Sequence, residues 1–303
     1  MSLPFLQNYL GLSTGLQTRQ TSSSSSGATR ALFGGGSTDT IDYITIATTG
    51  NAVDFGDLTV NRSLFCAVSS STRGVFAGGS GTSNVMDYVT IATTGNAVDF
   101  GDLTVGRTYP GGVNSSTRGC FAGGLSGAGY TNTIDYITIA TTGNATDFGD
   151  LSQTRGYTAG VNSDTRGVFG GGYSSTLNVI DYITIATLGN AIDFGDLTQG
   201  RYGTTGFNSS VRGVFSGGSI PSVQNTMDYI TIATTGNAVD FGDLTGAGTY
   251  LAGVNSDTRG ITGGSRGANN VIDYVTIATT GNAVDFGDLT VNRAGLAGCQ
   301  NGL

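Results

Sequence analysis

The chain has 303 residues, a formal net charge of −8, and an unusual inventory: its 21 acids are all Asp, its bases are all Arg, and Lys, Glu, His and Trp are absent. That charge excludes a nucleic-acid backbone as the expected partner, because phosphate binding needs clustered bases. No apolar run approaches the roughly 20 residues of a membrane span, so membrane insertion is not expected either.

In chain order, the first segment is an arm, residues 1–27. Its apolar start, "LPFLQNYLGL", carries Leu3, Phe5, Leu6, Tyr9 and Leu10. A Ser-rich stretch too polar to pack follows and reads as a flexible tether. The start lacks a basic leader and an unbroken apolar core, so it is a poor export signal. The arm is expected to dock on another protein or a second copy of the chain, since exposed apolar surface marks interaction sites.

From residue 28 onward one unit recurs. Aligning on an Asp-Tyr pair gives Asp42, Asp87, Asp135, Asp181, Asp228 and Asp273, six copies spaced 45 to 48 residues apart. Within one copy, "TRGVFGGG" (165–172), "VIDYITIAT" (179–187), "NAIDFGDL" (190–197) and "RYGTTGFNS" (201–209) read as four strands. "TLGN" places Gly-Asn where a hairpin turn needs positive φ. The alternation in "IDYITIA" leaves both faces largely apolar, which suits a sheet sandwiched between two others. The expected fold is all-β: a six-bladed β-propeller of four-stranded blades over residues 28–303. The inner strand is the small-residue one, and "RAGLAGCQNG" (293–302) supplies the closing strand beside "TRALFGGG" (29–36). The stretch from Arg19 to Arg30 keeps the same Arg-to-Arg spacing and competes for that slot, but its polyserine has weak strand character.

These features resemble a kelch propeller. The double glycines, Gly34-Gly35 and their five equivalents, end an apolar strand as kelch glycines do. The Tyr of "DY" follows, and Phe55 and its equivalents stand where kelch has Trp. The wording "DYITIATTGNAxDFGDLT" also resembles repeats in structural and tail-fibre-type proteins of marine bacteriophages. That resemblance implies a non-enzymatic virion protein, structural or adhesive, located on the particle, with other virion proteins or copies of itself as the partners of its arm. The alternative is a secreted or cell-surface glycan-binding propeller of a bacterium.

No cofactor is expected, and enzyme activity is not. Eighteen aspartates recur in every copy, as Asp42, Asp54 and Asp57 do in the first, whereas a catalytic site needs unlike residues in one place. They are read as bonding turn amides and pairing with the repeat arginines, as at Arg30 and Arg62. The alternative is calcium held once per copy by "DFGD", although no EF-hand spacing is present. The cysteines Cys66, Cys120 and Cys299 read as small buried apolar groups. Length varies only between "TRG" and "DY". The loops there carry the candidate recognition residues Tyr130, Asn132, Tyr173, Gln224, Asn225, Arg266 and Asn269, facing a host glycan or protein.

Overall fold

A computed structural model describes residues 29–265 and 269–302. Arg266 and the arm residues Leu3, Phe5, Leu6, Tyr9 and Leu10 lie outside the described residues. The described chain is all-β, with no helix, and forms six four-stranded antiparallel sheets plus two small hairpin sheets.

Sheet I is ordered Leu296–Gln300, Arg30–Gly35, Thr38–Thr45, Val53–Arg62. Sheet II runs Cys66–Ser69, Arg73–Ala77, Val85–Thr90, Val98–Asp102. Sheet III runs Gly111–Asn114, Arg118–Ala122, Thr133–Thr138, Thr146–Asp150. Sheet IV runs Ala159–Asn162, Arg166–Gly170, Val179–Thr184, Ile192–Asp196. Sheet V runs Thr205–Asn208, Arg212–Ser216, Thr226–Thr231, Val239–Asp243. Sheet VI runs Ala252–Asn255, Arg259–Gly263, Val271–Thr276, Val284–Asp288. The C-terminal strand therefore pairs beside the first described strand, with Leu32 opposite Cys299.

Six apolar clusters hold the sheets together, and each draws on two successive sheets, with sheets VI and I sharing the last. The first strands touch in the same order: those of II, III, IV, V and VI in turn, then Leu296–Gln300, then II again. Both faces of each sheet are thus buried, which is why the third strands read as nearly continuous apolar runs.

Three repeated devices fasten neighbours. First, Arg62 reaches Asp87 of the next sheet at 2.9 Å, and Arg107–Asp135, Arg155–Asp181, Arg201–Asp228 and Arg293–Asp42 repeat the pair at 2.6–2.9 Å. The amide and hydroxyl of a Thr or Ser on the preceding sheet, such as Thr104 to Asp135, donate to the same carboxylate. Second, the arginines of "TRG" do not pair with aspartate as expected. Arg30 donates to the carbonyls of Ile91 and Ala92 and lies over its own sheet's Tyr43 at 4.4 Å, and Arg259 donates to Ile46 across the VI–I junction. A guanidinium on a Tyr face keeps its charge attracted while its fork serves main-chain oxygens.

Third, the edge strands are covered. The Gly95 and Ala97 amides in the "TTGNA" turn of sheet II donate to Phe55 and Asp57 of sheet I, and Asn96 Oδ1 accepts from the Asp57 amide. Every junction repeats this, including Gly50 to Phe286 and Ala52 to Asp288 between sheets I and VI. Capping removes the open edge that invites strand pairing between molecules. It also explains the glycine of "DFGD": at φ +146° Gly56 has no room, since a Cβ there would meet Gly95 O at 2.5 Å. The carboxylates of Asp54 and Asp57 make no ion pair among the described residues, so the expected pairing with arginine holds for Asp42 and not for these two.

One junction departs from the pattern. Where sheets V and VI meet, the clasping arginine is replaced by Gly248, and among the described residues Asp273 keeps only the amide and hydroxyl of Thr245 as hydrogen-bond donors. Ser265 occupies the position at which the other repeats have a glycine against the arginine stem, as Gly124 lies against Arg107. Thr262 replaces the Phe of "TRGVF", and Phe207 replaces the usual Val of the first strand. A crevice too narrow for a water molecule, lined by Phe207, Thr262 and Asp273, remains.

Candidate functional site: a tyrosine cluster over the axial cavity

The connectors that leave each fourth strand turn sharply two residues after the clasp position. The residues there are Leu64, Tyr109, Tyr157, Gly203, Tyr250 and Gly295, all with φ between 60° and 73°. Their amides and carbonyls form a closed cycle. Tyr109 N donates to Leu64 O, Tyr157 N to Tyr109 O, Gly203 N to Tyr157 O, Tyr250 N to Gly203 O, Gly295 N to Tyr250 O, and Leu64 N to Gly295 O, at 2.7–3.3 Å. Glycine fills two of these left-handed positions without strain. At the three tyrosines the same conformation costs about 1–2 kcal/mol each.

Beneath the belt lies a cavity of about 880 Å³, open solvent at its mouth included, lined by glycine-rich first strands. At its far end Asn114, Asn162, Asn208 and Asn255 hand hydrogen bonds along neighbouring strands: Asn114 N donates to Asn162 Oδ1, Asn162 N to Asn208 Oδ1, and Asn208 N to Asn255 Oδ1. The near end is aromatic. Tyr109 and Tyr157 stack with centroids 3.6 Å apart, and Tyr250 lies 5.9 Å from Tyr157. Tyr130 and Tyr173, from the variable loops, join them: Tyr130 to Tyr173 is 5.9 Å, Tyr173 to Tyr202 is 5.2 Å and Tyr157 to Tyr202 is 5.6 Å.

Of the thirteen tyrosines in the chain, six belong to the "DY" repeat and Tyr9 to the arm; the other six are these six. The repeat is therefore broken by tyrosine in one place only. Two of the expected recognition residues, Tyr130 and Tyr173, meet there. Asn132, Gln224, Asn225 and Asn269 do not. Their carbonyls accept from Leu151, Gly248, Leu244 and Arg293, so they anchor connectors as equivalent residues do in other copies. Gln224 Nε2 is also spent within its own loop, on the carbonyls of Ile220 and Ser222. Tyr109, Tyr157, Tyr202 and Tyr250 went unseen in the sequence; subtracting the repeat from the tyrosine count would have found them.

Electrostatically the cluster is quiet. Burial and then the other tyrosines raise the phenol pKa values of Tyr130 and Tyr157, with no charged group among the causes. Cys66 borders the cavity, but burial pushes its thiol up to about 12, so it stays protonated and unreactive at neutral pH. All three cysteines are free and buried. Among the described residues no group of three or more acids or cysteines is placed to hold a metal. No protein family matches the chain, and a comparison with curated proteins finds no similar one.

Proposed function

We propose that the six sheets are the blades of a kelch-like six-bladed β-propeller closed by its C-terminal strand, acting as a non-enzymatic virion structural or adhesion protein. The cyclic packing, the belt of hydrogen bonds and the pairing of the two chain ends support the ring. The wording of the repeat, similar to that of marine phage structural proteins, supports the virion.

The observation that carries a recognition role is the tyrosine cluster. A scaffold built from copies needs no such concentration, and three of its members sit in strained conformations that glycine adopts freely. Recognition by loops on a rigid support is the common arrangement. Among the described residues the buried repeat carboxylates are spent on clasps and the thiols are protonated, so neither kind of group offers a free base beside the cluster. The alternative, a secreted or surface propeller of a bacterium, would use the same face.

Immunogold labelling with an antibody against the purified chain separates the two. Gold on phage particles in a lysate of the producing culture is expected. Gold on cell envelopes and none on particles would overturn the virion reading.

A further inference from the structure

Resting on the recognition role proposed above, we infer that the tyrosine cluster binds a neutral saccharide, with Tyr130, Tyr173 and Tyr202 as the contact surface. These three carry the cluster from the axial belt out to the loops. Tyr173 is the most open at 39% exposed, and it meets three other rings in T-shaped contacts. Tyr202 lies 5.2 Å from it at 64°.

A ligand for such a surface has to match two properties at once. Aromatic rings offer apolar area at little conformational cost, and a phenol adds a hydroxyl able to donate and accept. The hydroxyls of Tyr173 and Tyr202 make no hydrogen bond to the described residues. A pyranose matches this pattern, with an apolar face of C–H groups and a rim of hydroxyls. Peptides rich in apolar side chains would leave the phenol groups unpaired, at a cost.

Charge decides between kinds of sugar. The described residues that line the cavity include no arginine and no aspartate, whereas binding an acidic sugar calls for a bidentate arginine or a lysine. The net charge of −8 also repels polyanions at long range. Sialylated, sulfated and uronate glycans are therefore poor ligands. A quaternary ammonium could use ring faces alone, but no carboxylate stands beside the two perturbed phenols to assist it.

The test is a glycan array probed with the full chain, carrying neutral, sialylated, sulfated and uronate glycans, with tetramethylammonium as competitor. Binding confined to neutral glycans is expected, falling at least tenfold in Tyr173→Ala and Tyr130→Ala while Tyr173→Phe retains part of it. Each variant should keep the wild-type melting temperature to within a few degrees, so lost binding is not lost folding. Binding to no glycan, a preference for charged glycans, or competition by millimolar tetramethylammonium overturns the inference. If the array is silent while labelled protein still binds host cells through Tyr173, only the saccharide assignment fails and the recognition role stands.

Discussion

Gly248 shows what the clasping arginine does elsewhere, because the same structure supplies five junctions with it and one without. In the five, a fully buried guanidinium meets a fully buried carboxylate. Removing one partner of such a pair leaves an uncompensated charge and costs about 3–5 kcal/mol. Asp87→Asn and Asp135→Asn are thus expected to lower stability by that order, read from chemical denaturation. Asp273→Asn is expected to behave oppositely. Burial raises the pKa of Asp273, with no arginine among the described residues to oppose it. A carboxyl with a raised folded-state pKa stabilises the fold below its unfolded pKa, and that contribution is lost as pH rises through the folded value. At neutral pH the ionised group is a burden, so Asp273→Asn should be neutral or stabilising at pH 7, with its advantage shrinking on acidification. A loss as large as that of Asp87→Asn would refute this account of the junction.

At the scale of elements, the turn "TTGNA" and the strand "DFGD" form one device, each turn closing the edge of its neighbour. Gly101→Ala, on the edge strand of sheet II that the turn of sheet III covers, should therefore be strongly destabilising: φ is +138° and the new Cβ would sit 2.5 Å from Gly143 O. Its melting temperature, compared with Gly95→Ala, where no atom lies within 4 Å, separates steric closure from φ strain alone. The V–VI junction offers the reverse experiment. Gly248→Arg combined with Ser265→Gly is expected to raise the melting temperature above either single change, because the serine stands where the arginine stem would run. Much of this level was legible in advance. The period, the four strands of each copy, the hairpin turn and the C-terminal strand's partner follow from alternation, glycine placement and repeat spacing. The use of the turn as an edge cap was not, because it depends on the neighbouring sheet rather than on the local chain. Nor was the split among the arginines: Arg30 and Arg62 look alike in sequence, yet one stacks on tyrosine and the other meets aspartate. The loop residues Tyr130 and Tyr173 were visible through length variation. Their partners hid in connectors of constant length.

For the whole molecule, the odd junction and the cyclic devices make joint predictions. The V–VI interface lacks its clasp, and Thr262 stands there in place of a phenylalanine, so its amides should exchange with solvent sooner than those at other junctions. In the proposed reading the repeated residues build a ring and the tyrosines that break the repeat use it, and that division requires the ring to close. Closure rests on contacts between residues far apart in sequence, among them the Ala52 amide donating to the Asp288 carbonyl at 2.7 Å. NMR coupling across that hydrogen bond, from the nitrogen of Ala52 to the carbonyl carbon of Asp288, measures it directly in the full chain. The account predicts a coupling as large as that of the equivalent Ala97–Asp57 pair between sheets I and II. Couplings at the five other junctions with none at Ala52–Asp288 would mean an open array, and would contradict it.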